Sequence, residues 1–292
     1  MLTRPYGATG LKITALGFGA MQVGSPDCTE ADAERILNGV LDLGITLIDT
    51  ARSYGQAEDR IGRYLARRRG EFVLSTKVGY GVAGVADWTY ECVALGIDAA
   101  RDRLRTDVID VVHLHSCPAS VLDGSGVVDA LCAAVGAGKI GVVGYSGDAD
   151  ALSRALDDPR VGAVEVSVNL CDQEALPQIA AARARGVGVL AKRPMAGLPW
   201  LAAKEPEDPP HAEYWRRFQL LAAPLGTPDW ASLALRFAAF QLGVDACLVG
   251  GTNLANVAKN VATVARGPLA SEEGAAIRAA FAAAGETWRG VV

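Results

Sequence analysis

Short apolar runs alternate with amphipathic stretches along nearly the whole chain, and this alternation restricts the fold more than any other feature of the sequence. The apolar runs fall at 15–20, 45–49, 72–76, 109–114, 140–144, 163–167, 187–191 and 246–250. Stretches with helical periodicity follow them at 29–43, 56–69, 89–105, 126–138, 149–156, 173–185, 228–242 and 253–265. Strands that read as continuous apolar runs are buried on both faces, and a strand–helix repeat calls for a parallel sheet covered by its helices. Eight such units in 292 residues fit a closed (β/α)8 TIM barrel. An open dinucleotide-binding sheet lacks its fingerprint here, because Gly17-Phe18-Gly19 leads into Met21-Gln22 instead of a third glycine and a helix. The turn signal Gly7-Ala8-Thr9-Gly10 predicts an N-terminal β-hairpin ahead of the barrel, and 271–284 predicts an extra C-terminal helix followed by a short tail. No break in composition interrupts the units, so a single domain over 1–292 is expected. Two connections are long: 116–125, directly after His115, and 198–227, which is rich in proline and carries Trp200, His211, Tyr214, Trp215 and Phe218. The second is expected to be a loop folded over the barrel mouth as a lid or substrate wall.

Composition narrows the function classes. Half of the residues are hydrophobic and the net charge is −5, with Arg67-Arg68-Arg69 as the longest basic run. Nucleic acid is therefore not an expected partner. Neither a signal-peptide run at Met1-Leu2-Thr3-Arg4-Pro5 nor a stretch of eighteen apolar residues is present, so no membrane association and a cytoplasmic location are expected. The six cysteines are scattered without a C-x-x-C pair, which suggests reduced thiols and no zinc cluster.

Three successive apolar runs end in, or lead directly to, ionisable residues: Asp49 with Tyr54 in the loop beyond it, Lys77, and His115. In a barrel these residues meet at the C-terminal mouth. A lysine ammonium beside a phenol is expected to lower the phenol's pKa, and a carboxylate to keep the lysine charged and in place. His115 can hydrogen-bond a substrate oxygen or assist proton transfer. Such a set exchanges a proton with a carbonyl or alcohol oxygen, and the accompanying hydride must come from a nicotinamide cofactor. His113 shares a strand face with His115 and is expected to be a hydrogen-bonded interior residue. Cys117 reads as an incidental thiol, and Met21, Trp88 and Trp200 as candidate pocket residues.

The run Asp49-Thr50-Ala51-Arg52-Ser53-Tyr54-Gly55 with Glu58, the strand end Ser75-Thr76-Lys77, the strand from Asp110 to His115, the opening Gly10 to Gly19 and the phrase Gly138 to Ser146 together resemble the signature regions of the aldo-keto reductase superfamily. The resemblance runs in order along the chain. It implies NAD(P)H-dependent reduction of an aldehyde or ketone, with Tyr54 as general acid, Lys77 and Asp49 as its tuning pair and His115 orienting the substrate. It also implies cofactor contacts at Ser146, Glu165, Asn169, Lys192 and Arg193, and at Gly251, Thr252, Asn253, Asn256 and Asn260 around a helix N-terminus. Departures occur at Gly147 for the usual asparagine, Glu165 for a glutamine, Lys192 for an aromatic residue and Asn256 for a basic one. NADPH is the expected cofactor, with NADH possible, and no metal is called for. Two further readings stay open: a cofactor-binding redox sensor without efficient turnover, and a metal-dependent barrel hydrolase using His113 and His115. The sequence leaves the physiological substrate and the oligomeric state open.

Overall fold

The apolar runs pair as parallel strands that close into a barrel. The computed structural model describes residues 1–124, 126–226, 229–284 and 288–291. Ser125 and Thr227, at the ends of the two expected loops, Pro228, at the start of the expected seventh helix, and Glu286, Thr287 and Val292 of the tail lie outside the described residues. Strands β1 (Thr3–Pro5) and β2 (Lys12–Thr14) form the N-terminal antiparallel hairpin. The barrel strands are β3 (Leu16–Gly19), β4 (Leu47–Asp49), β5 (Val73–Val78), β6 (Ile109–His115), β7 (Ile140–Ser146), β8 (Ala163–Ser167), β9 (Gly188–Lys192) and β10 (Ala246–Gly250). They neighbour one another in chain order, and β10 closes the cylinder on β3. The expected (β/α)8 barrel with its hairpin is thus the observed fold.

The helices are α1 (Glu30–Asp42), α2 (Ala57–Leu65), α3 (Tyr90–Leu104), α4 (Ala119–Leu122), α5 (Val127–Gly136), α6 (Ala149–Asp157), α7 (Leu176–Ala184), α8 (Pro209–Leu225), α9 (Trp230–Ala239), α10 (Leu254–Ala265) and α11 (Ser271–Ala284). Several begin where a side-chain oxygen accepts from a backbone N–H of the first turn, as Thr29, Thr89, Asp208, Asp229 and Asn253 do; each such cap satisfies a donor left free by the helix end. The helix expected over 56–69 stops at Leu65 and tightens into 3-10 turns over Ala66–Glu71.

The segment 198–227 is not a loop. A 3-10 turn over Pro199–Leu201 precedes the seventeen-residue α8, which Asp208 caps and Pro209 and Pro210 open. Proline is tolerated there because the first-turn N–H groups have no intrahelical partner. Tyr214, Phe218 and Leu221 on α8 pack with Phe237 of α9 and Ile277 and Phe281 of α11 in a cluster of their own. That apolar stripe makes α8 a packed helix of this second cluster instead of a free lid.

The two ends of the barrel differ in chemistry. Tyr6 and Ile13 of the hairpin meet Leu47, Val73, Val111, Leu190 and Leu248 and close the N-terminal end with apolar packing. Asp49, Lys77, His113 and Glu165 are all buried, further along their strands. Buried charge that is not swept out of a core points to work being done there.

Candidate active site

Asp49 is the last residue of β4 and pairs in register with Ser75 of β5. Its carboxylate accepts from Ser75 Oγ at 2.8 Å and from Lys77 Nζ at 2.5 Å. Because side chains repeat every second residue along a strand, Ser75 and Lys77 reach the same face and serve the same carboxylate. Lys77 Nζ also donates to the Thr50 carbonyl at 3.0 Å and lies 3.1 Å from Glu165 Oε2. One ammonium therefore faces two carboxylates with almost no solvent contact.

Tyr54 comes from the loop between β4 and α2, and the loop is held by backbone contacts. Gln56 N–H donates to the Gly24 carbonyl at 3.1 Å, Ala57 N–H donates to the Tyr54 carbonyl at 3.0 Å, and a Cβ on Gly24 would lie only 1.6 Å from the Tyr54 carbonyl oxygen. The buried guanidinium of Arg60 donates to the carbonyls of Val23, Ser25 and Cys28 and tethers the facing segment to α2. So placed, the Tyr54 ring has Lys77 Nζ 5.3 Å from its centroid and meets His115 edge-on at 5.9 Å. Asp49, Tyr54, Lys77 and His115 converge.

Burial works against the Lys77 ammonium, yet the charges of Asp49 and Glu165 outweigh it and hold the lysine protonated. The two carboxylates share that single cation and part company. Burial and the charge of Glu165 push Asp49 up, while Glu165, although burial raises it, is held low by Lys77, His113 and Lys192. The phenol departs from the sequence-based expectation. Burial pushes Tyr54 up to about 12, Lys77 pulls it down, and Glu165 and Asp49 push it up again. The expected lowering by lysine is real but is outweighed, so Tyr54 is a neutral O–H donor. Burial, with Lys77 as the next cause, lowers His115 to about 3. Its imidazole is neutral.

His113 lies in the barrel interior, as expected, but neither ring nitrogen makes a well-aligned hydrogen bond among the described residues. Burial lowers it to about 4. It fits only because its register partner is Gly144, where a Cβ would come within 2.4 Å of Nδ1. His211 is exposed on α8 beside Asp208, and among the described residues no three His, Cys, Asp or Glu side chains gather as a metal site would need. Burial raises the Cys117 thiol to about 12, which leaves it unreactive.

Ser146, the last residue of β7, lies beside His115 in register. Asn169, just past β8, uses Oδ1 to accept from Cys171 N–H at 2.8 Å and keeps a buried Nδ2 without a well-formed partner; Glu165 Oε2 on the same strand likewise has no hydrogen bond of good geometry. A buried amide donor without a well-aligned partner, and a carboxylate that can accept another hydrogen bond beside its ion pair with Lys77, suit the two ends of a carboxamide, so these residues fit a nicotinamide. Lys192 is ion-paired with Asp148 at 2.9 Å, and Arg193 donates to the Val291 carbonyl at 2.6 Å. Gly251 adopts a φ of +134°, and Thr252, Asn253 and Asn256 are exposed around the start of α10, with Asn260 one turn further on. This N-terminus suits phosphate. Met21, half exposed, follows β3; Trp88 follows β5 and packs edge-on against Tyr80; Trp200 instead packs on Phe218 in the second cluster.

Two participants escape a reading of the sequence. Tyr80 stacks on His115 with its hydroxyl 2.9 Å from Nδ1. It follows Gly79, whose φ of +133° breaks the strand's alternation, so no periodicity indicates where its ring points. Asp148 accepts from Ser167 N–H at 2.7 Å and holds Lys192; an acidic residue at a helix start reads first as a cap.

Residues 15–282 match the profile of the Aldo/keto reductase family. An L-galactose dehydrogenase from Arabidopsis thaliana is 29% identical over 281 residues, covering 89% of this chain and 87% of that protein. A D-threo-aldose 1-dehydrogenase from a Pseudomonas species is 28% identical over 87% of this chain and 90% of its own. Among solved structures, the holo form of an aldo-keto reductase from Bacillus halodurans superposes with a TM-score of 0.84 at 27% identity, covering 96% of both chains.

Proposed function

Because the chain belongs to the aldo/keto reductase family, we propose that this oxidoreductase uses NAD(P)H to reduce an aldehyde or ketone to an alcohol, with Tyr54 donating the proton. The observation that carries this reading is the neutral phenol beside an ammonium that two carboxylates keep charged. Tyr54 gives its proton to the carbonyl oxygen, and Lys77 stabilises the phenolate left behind. Asp49 holds Lys77 in place through a direct hydrogen bond. His115, uncharged, hydrogen-bonds the same oxygen and orients it. The nicotinamide, when bound, supplies the hydride.

Ser146, Glu165, Asn169, Lys192 and Arg193 would hold the nicotinamide half, and Gly251, Thr252, Asn253, Asn256 and Asn260 the phosphate end. The start of α10 carries neutral polar side chains in place of a cation, which weakens the hold on a 2′-phosphate, but its helix N-terminus still suits an anion; NADPH is the cofactor we assign, with NADH also accepted. Met21 and Trp88 are assigned to the substrate wall, whereas Trp200 packs on Phe218 in the second cluster. A single-domain enzyme in the cytoplasm belongs to the same reading; six unpaired cysteines support a reducing compartment, and among the described residues no helix is long and apolar enough to cross a membrane.

A more specific reading concerns the substrate. Two relatives are named as sugar dehydrogenases, and next to Tyr54 in the chain the exposed Ser53 hydroxyl lies 3.2 Å from the Tyr80 hydroxyl. This favours a hydroxylated, sugar-like carbonyl–alcohol pair. The test is nicotinamide absorbance with both reduced cofactors against a carbonyl panel and both oxidised cofactors against sugars. Tyr54→Phe is expected to lower turnover roughly 10²–10⁴-fold with cofactor affinity unchanged. Full turnover in that variant would remove the phenol from the mechanism, and cofactor binding without turnover on any compound would favour a sensor.

A further inference from the structure

We propose that Tyr80 is a positioning residue that fixes His115 as its Nε2–H tautomer, so that the ring's one N–H points away from the Tyr80 loop and toward the substrate. The proposal rests on the reading of His115 as the group that meets the carbonyl oxygen. Its observations are separate from that reading.

A neutral imidazole carries one N–H, and the partner of the other nitrogen decides where that hydrogen sits. The Tyr80 hydroxyl lies 2.9 Å from His115 Nδ1 and 3.2 Å from Ser53 Oγ. Its single hydrogen goes to one of them. Ser53 is exposed and can donate or accept, and water can satisfy it, whereas the half-buried Nδ1 has the shorter contact and Tyr80 as its only hydrogen-bond partner among the described residues. The arrangement with Tyr80 donating to Nδ1 leaves every group satisfied, because the Ser53 hydroxyl can then donate to the phenol oxygen.

The phenol is held in place. Its ring stacks on the imidazole with centroids 5.6 Å apart and planes 27° from parallel, and Trp88 packs edge-on against it with centroids 5.5 Å apart. Trp88 in turn adopts a left-handed backbone at φ +60° and donates its N–H to the Gly79 carbonyl at 2.7 Å. A Cβ at Gly79 would run into the Trp88 ring at 2.2 Å. Gly79, Trp88 and Tyr80 thus form a built shelf that ends on Nδ1. Left-handed backbone at a non-glycine costs energy and persists where the surroundings impose it.

The chain has three histidines, so the ring nitrogens of ¹⁵N-labelled protein give few signals to assign. In the wild type, His115 is expected to show an unprotonated Nδ1 and a protonated Nε2. Tyr80→Phe keeps the stack and removes the hydroxyl. It is expected to give a mixture of tautomers and a kcat lower by roughly tenfold, the worth of one hydrogen bond, with KM little changed. A protonated Nδ1 in the wild type, an unaltered tautomer in Tyr80→Phe, or an altered tautomer with unaltered kcat would each overturn the proposal. If no carbonyl compound is turned over by the wild type the carbonyl-reduction reading fails, and the ring-nitrogen spectrum still decides the tautomer.

Discussion

Glu165 shows at the scale of one residue how a small chemical departure retunes a site. Where the resemblance leads one to expect a neutral amide, a carboxylate faces Lys77 at 3.1 Å, and the buried trio of Asp49, Lys77 and Glu165 carries one more negative than positive charge. Burial is the larger cause for both Asp49 and Tyr54, and the charge of Glu165 pushes each of them further up. Glu165→Gln removes it and leaves the Lys77–Asp49 bond intact. The phenol's pKa then falls, since Lys77 acts on it with less opposition. Carbonyl reduction needs the protonated phenol, so activity should begin its alkaline decline about one pH unit lower than in the wild type, the usual scale for a nearby buried charge. Profiles of kcat against pH for the two proteins check this; superimposable alkaline limbs would mean that the Glu165 charge does not reach Tyr54.

At the scale of the element, the loop between β4 and α2 is placed by what it leans on. Gly24 presents bare backbone to Tyr54, and Gly55 at φ +54° turns the chain immediately afterwards, under the Gly24 carbonyl. Gly24→Ala puts a methyl where the Tyr54 carbonyl now sits, and the loop must back away. A stability loss of about 1–3 kcal/mol is expected, as for other forced insertions into packed structure. The kcat should fall more than cofactor affinity, because the displaced group is the proton donor and not a cofactor contact. Urea unfolding and single-turnover kinetics measure the two effects, and an unchanged kcat would show that the loop retains Tyr54 without Gly24. None of this close approach is written in the sequence, where Gly24 is one of 33 glycines. Asp49, Lys77 and His115 were legible because strand ends in a closed parallel barrel share one mouth and a two-residue period fixes direction. Tyr80 was not, because Gly79 ends that period. The segment 198–227 reads as a loop because of its prolines, although Asp208-Pro209-Pro210 is also how a capped helix starts, and the stripe Tyr214, Phe218, Leu221 has helical spacing. The pKa of Tyr54 lies above the sequence-based expectation because the neighbouring lysine is visible in the sequence and the depth of burial is not.

For the whole molecule, the barrel's closed end is an apolar plug, and at the other end the C-terminal tail ties the second cluster to the segments that follow β8 and β9. Val291 N–H donates to Asp172 at 2.9 Å, and its carbonyl accepts from Arg193 at 2.6 Å. Arg217 of α8 donates to the Arg289 carbonyl at 2.7 Å and to the Cys171 carbonyl at 3.1 Å, and its guanidinium lies 5.0 Å from the centre of the Trp288 ring. Trp288 closes the chain of contacts by packing edge-on against Phe281 of α11. One nearly buried guanidinium therefore bonds α8, the turn after β8 and the tail, and the tail end in turn grips Arg193 at the exit of β9. Because Arg193 is assigned to the cofactor, whatever loosens the tail should reach the site from a distance. Arg217→Leu keeps the apolar stem and removes the donors. Among the described residues β6 shares no hydrogen bond with the tail, so its amide exchange should be unchanged, whereas the Val291 amide should exchange at least roughly tenfold faster, as for the loss of about 1.4 kcal/mol of local protection. Cofactor affinity should weaken in step, through Arg193. Protected Val291 exchange in Arg217→Leu would show that Asp172 and Arg193 suffice to hold the tail, and faster exchange with unaltered affinity would separate the tail from the cofactor site.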